Sequence, residues 1–293
     1  MPIALDLYRR LPVVVRAALA GLVLSALGGL PWAVLVSANS KYGSAVPWAV
    51  PPTALFLWLF WRYARGAGPP RSTAAARRAS CRANPLSGDA WAAAILAGVL
   101  GLTAVLLIQR VLSRLVTLPH QPAPDVSRFP FLTVLFWVLM SPVVAGVVEE
   151  VSFRGYLQRP IEQRHGPVIA ILVTGVVFGF AHFTHPEVTL VLMPYYVAVA
   201  AVYGALAHLT DSILPSLVLH AAGNLLGSLV LIGRGRSEWQ ASPGATPLIW
   251  KTGADASFWI TLAAGLAAAG AAVAAFAALA KVARREPVRT PSE

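Results

Sequence analysis

The chain has 293 residues, 57% of them hydrophobic and 12% charged, with a mean hydropathy of +0.67 and a net charge of +11. Charged residues make up about a quarter of a soluble domain, so this composition excludes a soluble enzyme and indicates a polytopic membrane protein. The positive charges flank apolar runs instead of gathering in a patch, which argues against nucleic acid as a partner, and the single cysteine, Cys81, excludes an intramolecular disulfide.

In chain order, Arg9 and Arg10 followed by apolar residues from Leu11 to Ala38 have the form of a signal peptide ending at Val36-Ser37-Ala38. The apolar stretch exceeds the roughly 7–15 residues of a signal core, so a retained first span is expected. Further apolar windows predict an all-α, polytopic membrane bundle of about eight transmembrane helices, at 13–38, 47–63, 90–108, 130–150, 168–184, 188–208, 212–232 and 257–280. The chain reads as a single membrane domain, 1–293, without internal repeats. Residues 62–89, rich in Arg, Ser, Ala, Gly and Pro, read as a surface loop against anionic headgroups, with Cys81 a bystander in it. Pro142 and Pro194 are expected to kink the fourth and sixth helices. With the N-terminus inside, 16 of the 23 Lys and Arg residues fall on the cytoplasmic side. Both termini are therefore expected in the cytoplasm, with the bilayer as the chain's environment. Usage rich in Ala, Arg and Trp suggests a bacterial inner membrane.

Chemistry concentrates in Val147-Val148-Glu149-Glu150-Val151-Ser152-Phe153-Arg154-Gly155-Tyr156, at the end of the fourth apolar run. An ionisable group at membrane depth costs roughly 2.5–3.5 kcal/mol on insertion scales, and such residues face the protein interior or water. On a helix, Glu150 and Arg154 form an i, i+4 ion pair with the acid first. Glu149 points about 100° away without a partner. Low dielectric and a neighbouring carboxylate favour its protonated form, the condition for a general base or acid near neutrality. The expected division is that Glu150 and Arg154 are structural and Glu149 chemical.

Two later spans carry histidines. Phe178 and His182 are four apart at the end of the fifth, so the ring can wall the imidazole; His185, before Pro186, reads as a wet loop residue. In the seventh, His220 and Asn224 are four apart on one face, serving either as interhelical hydrogen-bond glue or as a functional pair. Gly175 to Gly179 and Gly223 to Gly227 are G-x-x-x-G patterns. Packing of the fifth and seventh helices through them would bring His182, His220 and Glu149 to one cavity. His208 and Asp211 read as interfacial and cap residues.

Glu149-Glu150-x-x-x-Arg154 with Gly155-Tyr156-Leu157, then Phe178-x-x-x-His182, then His220-x-x-x-Asn224, in that order over 145–232, resemble the CPBP family of intramembrane proteases, which includes the CAAX-processing endopeptidases and the bacterial Abi proteins. The resemblance implies peptide-bond hydrolysis in a membrane-associated protein or peptide substrate. Glu149 would activate water with help from His182, His220 and Asn224 would steady the oxyanion, and Phe178 would be a motif partner. Hydrolysis needs a base, a proton carrier and donors aimed at developing charge, and these residues can supply them. No metal or other cofactor is expected, the alternative being zinc held by His182, His220 and Glu149. Readings from other classes are a secondary transporter, for which internal repeats would be expected, and a non-catalytic membrane protein whose polar residues are packing glue.

Overall fold

The computed structural model describes residues 8, 10–118, 125–184, 190–234 and 247–285. Within them every regular element is helical, apart from one isolated bridge pairing Ala83 with Ser212. His185 and Pro186 lie outside the described residues, as do Arg9, Arg236 and Arg289 of the basic residues used for orientation.

The helices are α1 (Val13–Tyr42), α2 (Val50–Ala64), α3 (Ala74–Cys81), α4 (Gly88–Ser113), α5 (Phe131–Glu149), α6 (Arg159–His165), α7 (Pro167–Ala181), α8 (Met193–Leu209), α9 (Leu214–Arg234) and α10 (Ala256–Arg285). A π-helical segment, Glu150–Gln158, joins α5 to α6 without a break. Each of the eight apolar windows is represented by a helix. Among the described residues, six helical stretches have the length and composition to cross a membrane. The other two, α2 and α7, have 15 residues each. At 1.5 Å per residue that is about 22 Å, short of the ~30 Å hydrocarbon core, so the count of membrane-length helices is six where eight spans were expected.

Several helices enclose the motif stretch. α1 runs through Val36-Ser37-Ala38 without interruption and packs along the π segment. A Cβ on Gly21 would lie 2.9 Å from that of Leu157, and one on Gly28 would lie 2.5 Å from a Val148 methyl. α5 packs against α9, with Gly146 against Leu217 and Ala221. α7 packs against α8. α4 and the alanine-rich α10 pack closely on each other and, through Ala94, Ala97 and Leu279, on Leu206 of α8 and Leu219 of α9; they are tied at one end by Arg114, whose guanidinium bonds Asp255 at 3.1 Å and the Pro247 carbonyl at 2.7 Å.

Several local expectations change. The glycine patterns of the fifth and seventh predicted helices do not face each other. Gly175 and Gly179 receive Val197, Met193 and Tyr196 of α8, and the nearest side chain to Gly223 is Tyr203 of α8. Pro194 occupies the first turn of α8, where its missing N–H leaves nothing unsatisfied, so it starts that helix instead of kinking it. Pro142 lies inside α5, which continues past it to the glutamates. Residues 62–89 are not a simple surface loop: they contain α3, and Arg77, Cys81 and Arg82 are buried. Arg77 is held by the carbonyls of Tyr63, Ala67 and Gly68 at 2.9–3.1 Å, a staple that closes this cap. Cys81 is 0% exposed, and burial pushes its thiol up to about 11.

Candidate active site

The motif stretch is not a plain α-helix. α5 ends at Glu149, and the nine residues Glu150–Gln158 follow in π register. Such turns recur at functional sites, because the wider turn re-aims side chains. Two local features accompany the shift. Ser152 Oγ donates to the Val148 carbonyl at 2.6 Å, competing for the acceptor that the α-helical N–H would use. Gly155 admits the backbone of α3, since a Cβ there would sit 2.9 Å from the Ser80 carbonyl oxygen.

Arg154 Nη1 and Glu150 Oε1 are 2.9 Å apart, and both side chains are 0% exposed. The guanidinium also lies over the rings of Phe178 and Tyr203, 4.7 and 5.1 Å from their centroids, a favourable placement for a desolvated cation. Glu150 does more than pair with arginine, which its assignment as purely structural did not foresee. His220 Nδ1 lies 2.8 Å from the same Oε1. A carboxylate oxygen only accepts, so Nδ1–H donates, and this bond orients the ring.

The other face of the imidazole turns to the first glutamate. His220 Nε2 and Glu149 Oε2 are 3.7 Å apart, too far for a direct hydrogen bond. Adjacent acids on the chain thus address the two nitrogens of one ring. The Glu149 side chain is 23% exposed, and its Oε2 has no hydrogen-bond partner among the described residues. Glu149 is therefore the more accessible and less engaged of the two carboxylates.

His182 caps the end of α7, and its Nδ1–H donates to the Phe178 carbonyl at 2.8 Å. In the neutral ring the lone pair is then on Nε2. Phe178 is 2% exposed and joins the two histidines, with centroid distances of 4.5 Å to His182 and 6.2 Å to His220. Asn224 stands one turn beyond His220 on α9 and is exposed. Glu149, Glu150, Arg154, Phe178 and His220 thus form one connected cluster, His182 enters it through Phe178, and Asn224 borders it.

Tyr196 and Tyr203 were missed. Tyr203 stacks on His220 at 5.0 Å and 17°, and Tyr196 stacks on His182 at 4.4 Å and 30°. Their spacing of seven residues, two helical turns, places both on one face of α8, and that periodicity was readable in the sequence.

A second polar cluster lies along the same motif helix. Glu162 accepts from Arg82 Nη1 at 3.0 Å and Gln158 Nε2 at 3.3 Å on Oε2, and from Arg159 Nη1 at 3.3 Å and His208 Nδ1 at 2.8 Å on Oε1. His208 is thus a ligand of a nearly buried carboxylate and not merely interfacial. Asp211 adopts a left-handed backbone (φ 46°), pairs with Arg159 at 3.0 Å and receives Asn84 on its carbonyl at 2.7 Å, while Ser212 takes the capping role ahead of α9.

Residues 131–226 match a family model described as type II CAAX prenyl endopeptidase Rce1-like. Over these residues the chain is similar to the Rce1-like family, consistent with the CPBP resemblance read from its motifs. Searches of curated proteins and of solved structures returned no match. The matched segment contains every site residue named from the sequence, from Glu149 to Asn224. The matched description is that of an endopeptidase family, and the segment is set among helices of membrane length. Among the described residues, no three His, Cys, Asp or Glu side chains are grouped so as to hold a metal ion.

Proposed function

We propose that this chain hydrolyses a peptide bond in a membrane-associated protein or peptide substrate, with Glu149 as the base that activates water. One observation carries the reading: a carboxylate oxygen without a hydrogen-bond partner faces, at 3.7 Å, the Nε2 of an imidazole fixed from behind by a second acid. A water oxygen bridging that gap is within reach of both groups. Glu149 takes its proton as the oxygen adds to the substrate carbonyl, and the proton then passes to the departing amine, with His182 as the carrier. Asn224 and His220 act as donors to the oxyanion. Because Nδ1–H is committed to Glu150, donation from Nε2 requires the protonated ring. The bilayer is the working environment and the substrate arrives from it; a chain carrying a prenylated cysteine near its C-terminus is the class that the matched family's description names.

The 2.8 Å bond from His220 to Glu150 supports a second assignment, in which the neutral ring is the base through Nε2 and Glu150 is its orienting acid. Purified wild type, Glu149→Gln and His220→Gln, each with a membrane-tethered reporter peptide, separate the two. The first assignment expects cleavage to vanish with Glu149→Gln at unchanged melting temperature; full activity in that variant overturns it and leaves the histidine base. Zinc is the remaining alternative to metal-free hydrolysis, and Glu149, His220 and His182 would have to be its ligands. Elemental analysis of active protein and insensitivity of cleavage to chelators are the expected results, and stoichiometric metal with chelator inhibition would reverse that part of the reading.

A further inference from the structure

The π segment returns to α register at Arg159, whose N–H bonds the carbonyl of Gly155, four residues back. In π register that N–H would have bonded Arg154, five back. The change leaves the Arg154 carbonyl to find another donor inside the protein, where an unpaired carbonyl is costly. Arg82 supplies it: Nη2 lies 3.0 Å from the Arg154 oxygen. The other arm of the same guanidinium, Nη1, is clamped by Glu162 at 3.0 Å.

Arg82 is 2% exposed and ends α3 in a left-handed conformation, φ 37°. Its carbonyl receives the N–H of Ile213, and the next residue, Ala83, bridges to Ser212, so the turn that carries it is tied to the start of α9, the helix of His220. Arg82 precedes the 131–226 segment that matches the family model. Arg82 therefore connects three things: its planar fork joins the Arg154 carbonyl, where π register ends, to the Glu162 anchor, and its backbone ties both to the foot of the helix that carries the imidazole. The side chain of Arg154 itself meets Glu150, which holds His220.

We infer that Arg82 is a positioning residue for the reaction, holding the π segment so that Glu149 and Glu150 address opposite nitrogens of His220. The inference rests on the peptidase reading for its kinetic consequence, but its geometric consequence is independent of any activity. Lysine retains the charge with a point donor and lacks the two-armed fork, so Arg82→Lys keeps one of the two bonds and loses the alignment. Misplacement of reacting groups by about 1 Å costs on the order of 100-fold in rate.

The test uses full-length protein in detergent micelles. For Arg82→Lys, kcat on the reporter peptide should fall between about 10-fold and 100-fold, while KM stays within about twofold and melting stays near that of wild type. Nitrogen-15 spectra of histidine-labelled protein, with His220 identified from a His220→Gln sample, should show the hydrogen-bonded Nδ1–H of wild type weakened or exchanging in Arg82→Lys. Wild-type kcat together with an unchanged His220 spectrum overturns the inference. So does a rate loss explained entirely by a smaller folded fraction, with an unchanged spectrum. If wild type itself cleaves nothing, the peptidase reading fails, and the His220 spectrum alone decides the positioning role. Should Arg82→Lys not fold, Glu162→Gln, which keeps an acceptor for the fork but removes its charge, carries the same spectral test.

Discussion

Glu149 and Glu162 lie on one continuous helical run, and their surroundings differ in a way that assigns their work. Glu162 receives four donors, two on each oxygen, and its side chain is 7% exposed. Glu149 has one neighbouring nitrogen at 3.7 Å and an oxygen with no hydrogen-bond partner among the described residues. A carboxylate with every lone pair engaged has no free lone pair with which to accept a proton without breaking a bond; one with an unengaged oxygen can accept a proton or hold a water. Glu150 also leaves one oxygen without a hydrogen-bond partner among the described residues, but it is fully buried and holds Arg154 and His220, so an open valence marks chemistry only where it is also accessible, as it is at Glu149.

The largest expected effect that probes this contrast is on rate. Glu149→Gln should lower kcat by about 10²–10⁴-fold, the range for loss of a general base, with an unchanged thermal melt. A Glu149→Gln protein that melts early would break the contrast by making Glu149 structural. The next effect is on stability. Arg154→Ala strands the buried Glu150 charge and should destabilise the fold by about 3–5 kcal/mol, read by thermal or chemical unfolding in detergent. If that variant melts like wild type yet is inactive, the ion pair acts in the chemistry and not in the scaffold. Glu162→Gln weakens charge-assisted bonds worth roughly 1.5–3 kcal/mol each, so it should lower the melting temperature while reducing kcat far less than Glu149→Gln. Equal rate losses in the two glutamine variants, without a change in melting, would remove the distinction.

Two smaller effects sharpen the picture of the enclosing cap. Gly155→Ala brings a methyl to 2.9 Å from the Ser80 carbonyl oxygen, and overpacking of this kind costs about 1–3 kcal/mol; a melt should register it. Cys81, with its thiol pushed up to about 11 by burial, holds almost no thiolate at neutral pH. Maleimide labelling should be slow in the folded protein and fast once it is denatured. Rapid labelling of folded protein would mean that α3 lifts from the π segment.

Much of this was legible along the chain because it depends on period and composition. Apolar windows separated by charged or Pro/Gly clusters located each major helix, and four-residue spacing gave the Glu150–Arg154 pair and the Phe178–His182 contact. The 15-residue lengths of α2 and α7 were not legible, since hydropathy reports where a helix lies and not where its ends turn. The tyrosines of α8 were overlooked although their seven-residue spacing was plain. The glycine patterns misled, because a small residue permits close approach without naming the helix that approaches. Residues 62–89 misled for a related reason: arginine there suggested headgroups, yet Arg77 and Arg82 are buried against carbonyls and a carboxylate.

By itself, the amino-acid order determined a helical membrane protein and the residue types that any hydrolytic centre here must use, since both follow from local chemistry and periodicity. Only tertiary structure decided that Glu150 would orient the ring that Glu149 faces, and that a left-handed Arg82 from a distant turn would complete the π segment. Those outcomes depend on a change of helical register and on pairings across 70 and 72 residues of chain, which no local pattern encodes. The physical reason is that a helix specifies its own face, whereas the identity of its neighbour is set by the packing of the whole bundle.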